Sequence, residues 1–151
     1  MSSCCKSNNK RKYYNGTYEG EFKNNLRHGK ALFKFDNKDI YEGEFKNDKI
    51  NGSGIYKIRN GDVYNGEFKN NKKDGKGIYK FRNGDVYDGE FKNEELDGKG
   101  ILKFKSGNIY EGEFKNNKIE GKGICKMTNG DIKIIEYEKD INIMSVHIHD
   151  E

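Results

Sequence analysis

One short segment returns five times at a fixed interval. Tyr18-Glu19-Gly20-Glu21-Phe22-Lys23-Asn24 recurs, changed only at its second position, as Tyr41 to Asn47, Tyr64 to Asn70, Tyr87 to Asn93 and Tyr110 to Asn116. The interval is 23 residues each time, with no insertion. Such a frame restricts the chain to a stack of like units, each too small to bury a core alone. The array covers residues 18–132, as copies 18–40, 41–63, 64–86, 87–109 and 110–132. A head, 1–17, precedes it, and a tail, 133–151, follows.

Each copy reads as two strands. In Tyr-x-Gly-Glu-Phe-Lys the Tyr, Gly and Phe alternate, so both rings fall on one face. Asn at the seventh place and Gly at the twelfth bracket a loop, and the second strand begins at Gly54-Ile55-Tyr56-Lys57-Ile58 in copy two. Asn60-Gly61 then predicts a tight hairpin with two positive-φ residues. Asn83-Gly84, Ser106-Gly107 and Asn129-Gly130 repeat the device, and Asn37-Lys38 predicts a looser turn in copy one. Each strand glycine leaves room for a ring to lie across its neighbours. Tyr18, Phe22, Tyr41, Phe45, Tyr64, Phe68, Tyr87, Phe91, Tyr110 and Phe114 thus form an aromatic ladder, a candidate surface for a partner. Head and tail supply end strands: Arg11 to Tyr14 with the turn Asn15-Gly16, then Lys133 to Glu138 and Ile141 to His149. The apolar tail is alternatively a partner-binding edge. The expected fold is all-β, an elongated single-layer twisted antiparallel sheet of stacked hairpins.

Composition agrees with a thin core. Leu, Ile, Val and Phe make up about a fifth of the chain, near the level where chains stop folding. Yet there are 10 Tyr and 9 Phe, and the net charge is only +4, unlike a disordered chain. No apolar run approaches a membrane span, and Met1 to Tyr14 lacks the apolar stretch of a secretory signal. Cys4, Cys5 and Cys125 form no disulfide framework and suit a reducing, cytoplasmic setting. The mixed charges give no nucleic-acid signature.

These residues resemble the MORN (membrane occupation and recognition nexus) repeat family. Its unit is a 23-residue Tyr-x-Gly-x-Phe hairpin with a Gly-x-Gly second strand and a Gly turn. Copy one departs from it with Ala31 in Gly-x-Gly and Lys38 at the turn. The resemblance implies a single-layer sheet, protein contacts or homodimers, and attachment to membranes or cytoskeletal structures, with phosphoinositides or phosphatidic acid as proposed ligands.

The chemistry-bearing candidates are weak. The row Glu21, Glu44, Glu67, Glu90, Glu113 is a set of like carboxylates, whereas acid–base pairs need unlike environments. A cross-strand Glu–Lys ladder with Lys23, Lys46, Lys69, Lys92 and Lys115 fits better. Gly75-Lys76-Gly77, Gly98-Lys99-Gly100 and Gly121-Lys122-Gly123 lack the Ser/Thr and helix of a phosphate loop. Asn93 to Gly98 begins like a calcium loop but reaches Phe104 where Glu is required. His147, His149 and Asp150 fix no third metal ligand, and Cys125 stands at a core place. No catalytic residue, metal or cofactor is expected, and the chain is read as not an enzyme.

Specificity therefore belongs to places that vary between copies. Among these, Leu26, Ile50, Leu96 and Ile119 are apolar residues in polar loops, either partner anchors or tucked onto their own sheet. The head carries Lys6, Lys10, Arg11 and Lys12 and no acid, whereas the tail is acidic overall. Cys4 and Cys5 beside those cations are candidate lipid-anchor sites. Lys6, Lys10, Arg11, Lys12, Lys69, Lys72, Lys73, Lys76 and Lys80 are candidate anionic-lipid contacts. Two functions follow: a non-catalytic cytoplasmic scaffold or adaptor for protein partners or a second copy, possible at a membrane or cytoskeleton, or an anionic-lipid-recognition module.

Overall fold

The computed structural model describes residues 9–142, with side chains to 136. Twelve strands account for it: β1 (Asn9–Tyr13), β2 (Gly16–Lys23), β3 (Leu26–Phe35), β4 (Ile40–Lys46), β5 (Lys49–Lys57), β6 (Val63–Lys69), β7 (Lys72–Lys80), β8 (Val86–Lys92), β9 (Glu95–Lys103), β10 (Ile109–Lys115), β11 (Lys118–Lys126) and β12 (Ile132–Asn142). They run in chain order in one open sheet, and no helix occurs among the described residues. The chain divides into two compact units, Met1–Lys72 and Lys73–Glu151.

Within each unit the same register recurs. Tyr41 faces Tyr56, Glu42 faces Ile55 and Gly43 faces Gly54; Tyr87 faces Leu102, Asp88 faces Ile101 and Gly89 faces Gly100. Period-two alternation then sorts the side chains onto two faces. One face carries the rings. Each repeat Tyr is almost fully buried, and its ring lies over the paired glycines: a Cβ on Gly54 would run into the Tyr41 ring, and one on Gly123 into Tyr110. The same Tyr meets two Phe rings edge-on, its own and the next copy's. Tyr18 lies 5.0 Å from Phe22 and 5.1 Å from Phe45; Tyr87 lies 5.3 Å from Phe91 and 4.9 Å from Phe114. In the first four copies its hydroxyl donates to the carbonyl three residues on, at 3.0 Å for Tyr41–Glu44 and 2.8 Å for Tyr64–Glu67. The bare backbone therefore serves the expected purpose, and the core is the seam between consecutive copies.

The turns differ from expectation. The tight two-residue turn is Asn47-Asp48, both with positive φ (47° and 70°), not Asn60-Gly61. The second strand accordingly starts at Lys49, and the expected loop up to Gly52 is strand with a bulge. That bulge places Gly52 at φ 108° and lets the Glu44 carboxylate accept the Ser53 N–H at 2.6 Å. Glu90 accepts the Lys99 N–H at 2.8 Å in the same way. The glutamate row thus reaches backbone at Glu44 and Glu90, although Lys30 and Lys76 stand directly across from these two glutamates. At Asn60-Gly61 only the glycine has positive φ, and a wider loop closes through Ile58 N–H to the Asp62 carbonyl at 2.9 Å. Copy one is not looser. Lys38 takes φ 79°, and Phe35 N–H still reaches the Asp39 carbonyl at 2.9 Å.

The end strands are half-repeats. Arg11 faces Tyr18 as Phe33 faces Tyr41, so β1 holds the register of a second strand. Its turn is Tyr14-Asn15, since Tyr13 already pairs with Gly16. Lys133 faces Cys125 as Tyr110 faces Leu102, so β12 holds the register of a first strand. The expected strand Ile141 to His149 lies largely outside the described residues.

Candidate functional site

The ring face offers little to a partner. Tyr18, Tyr41, Phe45, Tyr64, Phe68, Tyr87, Phe91, Tyr110 and Phe114 are buried, and only Phe22 of the ladder is half-exposed. The ladder is the core, because each ring is covered by its neighbours.

The opposite face is open. Here the apolar residue at the fifteenth place of each copy alternates across strands with the second-place residue, mostly acidic. In the second unit Ile101, Ile124 and Ile134 line a groove with Asp88 and Glu111 among them and Lys99 and Lys122 beside the backbone of Gly100 and Gly123. Its volume is about 540 Å³. In the first unit Leu32 and Ile55, with Glu42, Asn65, Lys30 and Ser53, line a second groove of about 590 Å³. The aliphatic row is least covered at the end of the sheet, where Ile134 is 79% exposed. Two ion pairs brace that rim, Lys126–Glu111 at 3.6 Å and Lys122–Glu136 at 3.7 Å. Grooves of this kind accept extended or amphipathic chain with apolar anchors and charge-directed register.

The varying loop residues divide. Ile50, Leu96 and Ile119 are tucked onto the sheet beside the repeat Phe, Ile50 only 7% exposed. Leu26 sits one place earlier in its copy, faces Lys23, and stays 39% exposed. The place that matches Ile50 in copy one is Arg27, and in copy three Lys73.

That place carries a pairing rule which the sequence shows only when copies are compared across the repeat boundary. The eighth residue of the next copy accepts the backbone N–H of the tenth: Asn71 from Ile50 at 2.8 Å, Asn117 from Leu96 at 2.9 Å. Where the tenth residue is a cation, the acceptor is an acid. Arg27 Nε reaches Asp48 at 2.7 Å, and Lys73 Nζ reaches Glu94 at 2.7 Å. The Arg27 hydrogen bond holds the Asp48 carboxyl below the usual carboxylate range. On the other edge, Asp39 accepts the Arg59 N–H at 2.9 Å and Asp85 the Lys105 N–H at 2.8 Å, stapling copy to copy. Burial pushes the Asp39 carboxyl up, but the bonds from Arg59, Asn37 and Tyr56 outweigh it and leave its pKa lowered.

The candidate lipid contacts do not converge. Arg11 bonds the Asn25 side chain and lies 4.3 Å over the Phe22 ring, Lys12 pairs with Asp36 at 2.6 Å, and Lys73 is held by Glu94. Lys10, Lys69, Lys72, Lys76 and Lys80 are exposed, on several strands of both units. Cys4, Cys5, Lys6, His147 and His149 lie outside the described residues. Cys125 is a core residue: burial raises its thiol pKa, and its Sγ lies 3.6 Å from the Met127 sulfur. Among the described residues no cluster of three His, Cys, Asp or Glu side chains could hold a metal ion.

Fold and site together define an all-β tandem-repeat module whose rings face inward and whose charged face is open. Residues 18–40, 41–63, 64–86, 87–109 and 110–132 each match the MORN repeat, and the chain belongs to the MORN repeat family. Among solved structures it is similar to the SAS-4 (dCPAP) TCP domain of Drosophila melanogaster, in complex with a proline-rich motif of Ana2 (dSTIL). The two are 14% identical with a TM-score of 0.47, over 91% of this chain and 94% of that one. No curated protein matches the chain.

Proposed function

We propose that this protein is a non-catalytic adaptor that holds protein partners on the charged face of its repeats. The observation that carries the reading is the groove of the second unit, where a partly exposed aliphatic row lies between acidic and basic side chains. Such a surface supplies apolar anchoring and charge-directed register without placing two unlike titratable groups around a reacting centre. The cytoplasm, at a membrane or cytoskeletal structure, is the setting proposed for it.

Proximity labelling in the native cell, with the wild-type chain and Ile124→Glu, tests this. A defined set of neighbours lost in the variant is expected, with the fold unchanged by circular dichroism. An identical set in both would remove the groove from the function. Flotation with phosphoinositide vesicles at physiological salt reads the lipid alternative. No binding by the described repeats is expected, since their cations are dispersed among carboxylates.

A further inference from the structure

The two outer strands are complementary halves of one repeat. Among the described residues, β12 carries the first-strand register with no second strand beside it, and β1 carries the second-strand register with no first. We propose that β12 of one copy pairs edge to edge with β1 of a second copy, so that the two halves close one further repeat in trans.

The repeat frame fixes the register. The hairpins of copies two, four and five each set a branched residue against a lysine: Ile40 against Lys57, Val86 against Lys103, Ile109 against Lys126. Continued across the copies, that frame sets Ile132 against Lys12, Ile134 against Lys10 and Ile135 against Asn9. Ile132 and Ile134 are 68% and 79% exposed, on the side where an inner strand would have a neighbour. Lysine stems cover such residues while their heads stay in water.

Charge opposes the head-to-head alternative. β1 bears Lys10, Arg11 and Lys12 and no acid, so a head-to-head contact gathers six cations. β12 is net acidic in sequence, and in the head-to-tail register Glu136 lies diagonal to Lys10. One meeting opposes the head-to-tail contact, Lys133 against Arg11, though the Arg11 guanidinium is already drawn to Asn25 and over Phe22. An unlike-edge contact leaves a free edge at each end, so association continues past the dimer to chains or rings. This goes beyond the adaptor reading and uses the sheet ends; Ile134 also lines the groove of the second unit, so Lys133→Glu and the Lys10→Glu rescue, both outside that groove, separate the two.

Sedimentation velocity over a concentration series is the test, on the full chain. Wild type is expected to grow past dimer. Lys133→Glu, which sets an acid against Arg11, is expected to tighten association about fivefold, and Ile134→Lys to weaken it at least as much. Ile134→Lys combined with Lys10→Glu is expected to restore it, which identifies the head as the partner of the tail. Circular dichroism confirms that each variant keeps its strands. A strict monomer, growth that stops at a dimer, or a double variant no better than Ile134→Lys alone would each overturn the proposal.

Discussion

Arg27 and Ile50 stand at the same place in consecutive copies, both against a repeat Phe on the ring face. The aliphatic form needs only an amide acceptor from the next copy. The cationic form needs an acid there as well, because a guanidinium that is largely buried without a counter-charge is costly. Arg27→Ile alone therefore leaves Asp48 without its cation, and Asp48→Asn alone leaves Arg27 without its anion. Together they rebuild the Ile50–Asn71 arrangement. Each single change is expected to destabilise, the pair to recover most of the loss, and the coupling to be about 1 kcal/mol in a urea double-mutant cycle. The acid limb gives a second reading. Because Asp48 has a lowered pKa when folded, its contribution is complete above the unfolded value near 3.9 and fades as pH falls through the folded one. The gap between wild type and Asp48→Asn is expected to close below about pH 4.

At the scale of elements, the turns decide where strands begin. Lys38 adopts φ 79° while matching copies use glycine at φ 102° (Gly61) and 101° (Gly84), yet the closing hydrogen bonds are unchanged. The surrounding strands force the lysine into a left-handed conformation that costs a non-glycine residue about 1–2 kcal/mol. Lys38→Gly relieves that strain, partly offset by glycine's greater unfolded entropy, and is expected to stabilise by about 0.5–1 kcal/mol in chemical denaturation. Much of the architecture was legible because it repeats: the ring alternation and the glycine spacing dictate one hairpin per copy. The tight turn was not, because Asn-Gly suits both a two-residue turn and a wider loop that needs a single positive φ. The register chooses, and it depends on the bulge that Gly52 and Glu44 create. The groove was half legible: the aliphatic at the fifteenth place recurs in every copy, but only the pairing of strands shows which of these residues stay uncovered. Cation–acid pairing between Arg27 and Asp48 joins residues 21 apart in neighbouring copies and escapes a copy-by-copy reading.

For the whole molecule, the frame itself is the stabilising device: each seam consists of rings over bare backbone and staples along both edges, repeated. Removing one complete copy should then shorten the protein without unfolding it. Deletion of residues 87–109 joins Val86 to Tyr110 in the place of Tyr87, keeping every side chain on its face. Deletion of one residue fewer, 87–108, shifts every later residue of the array to the opposite face and places rings where charges were. The 23-residue deletion is expected to retain the β circular dichroism signal and to unfold with a smaller denaturant slope, in proportion to the lost surface. The 22-residue deletion is expected to lose cooperative unfolding. The shortened chain also sets Lys73 against Asn117 in place of Glu94. Asn117→Glu in that background restores the cation–acid staple and is expected to recover stability, whereas in the full-length chain, where Asn117 serves Leu96, it gives none. A gain of equal size in both backgrounds would mean that the acid acts as a general surface charge, and that seams are not specified by the identity of the residues they join.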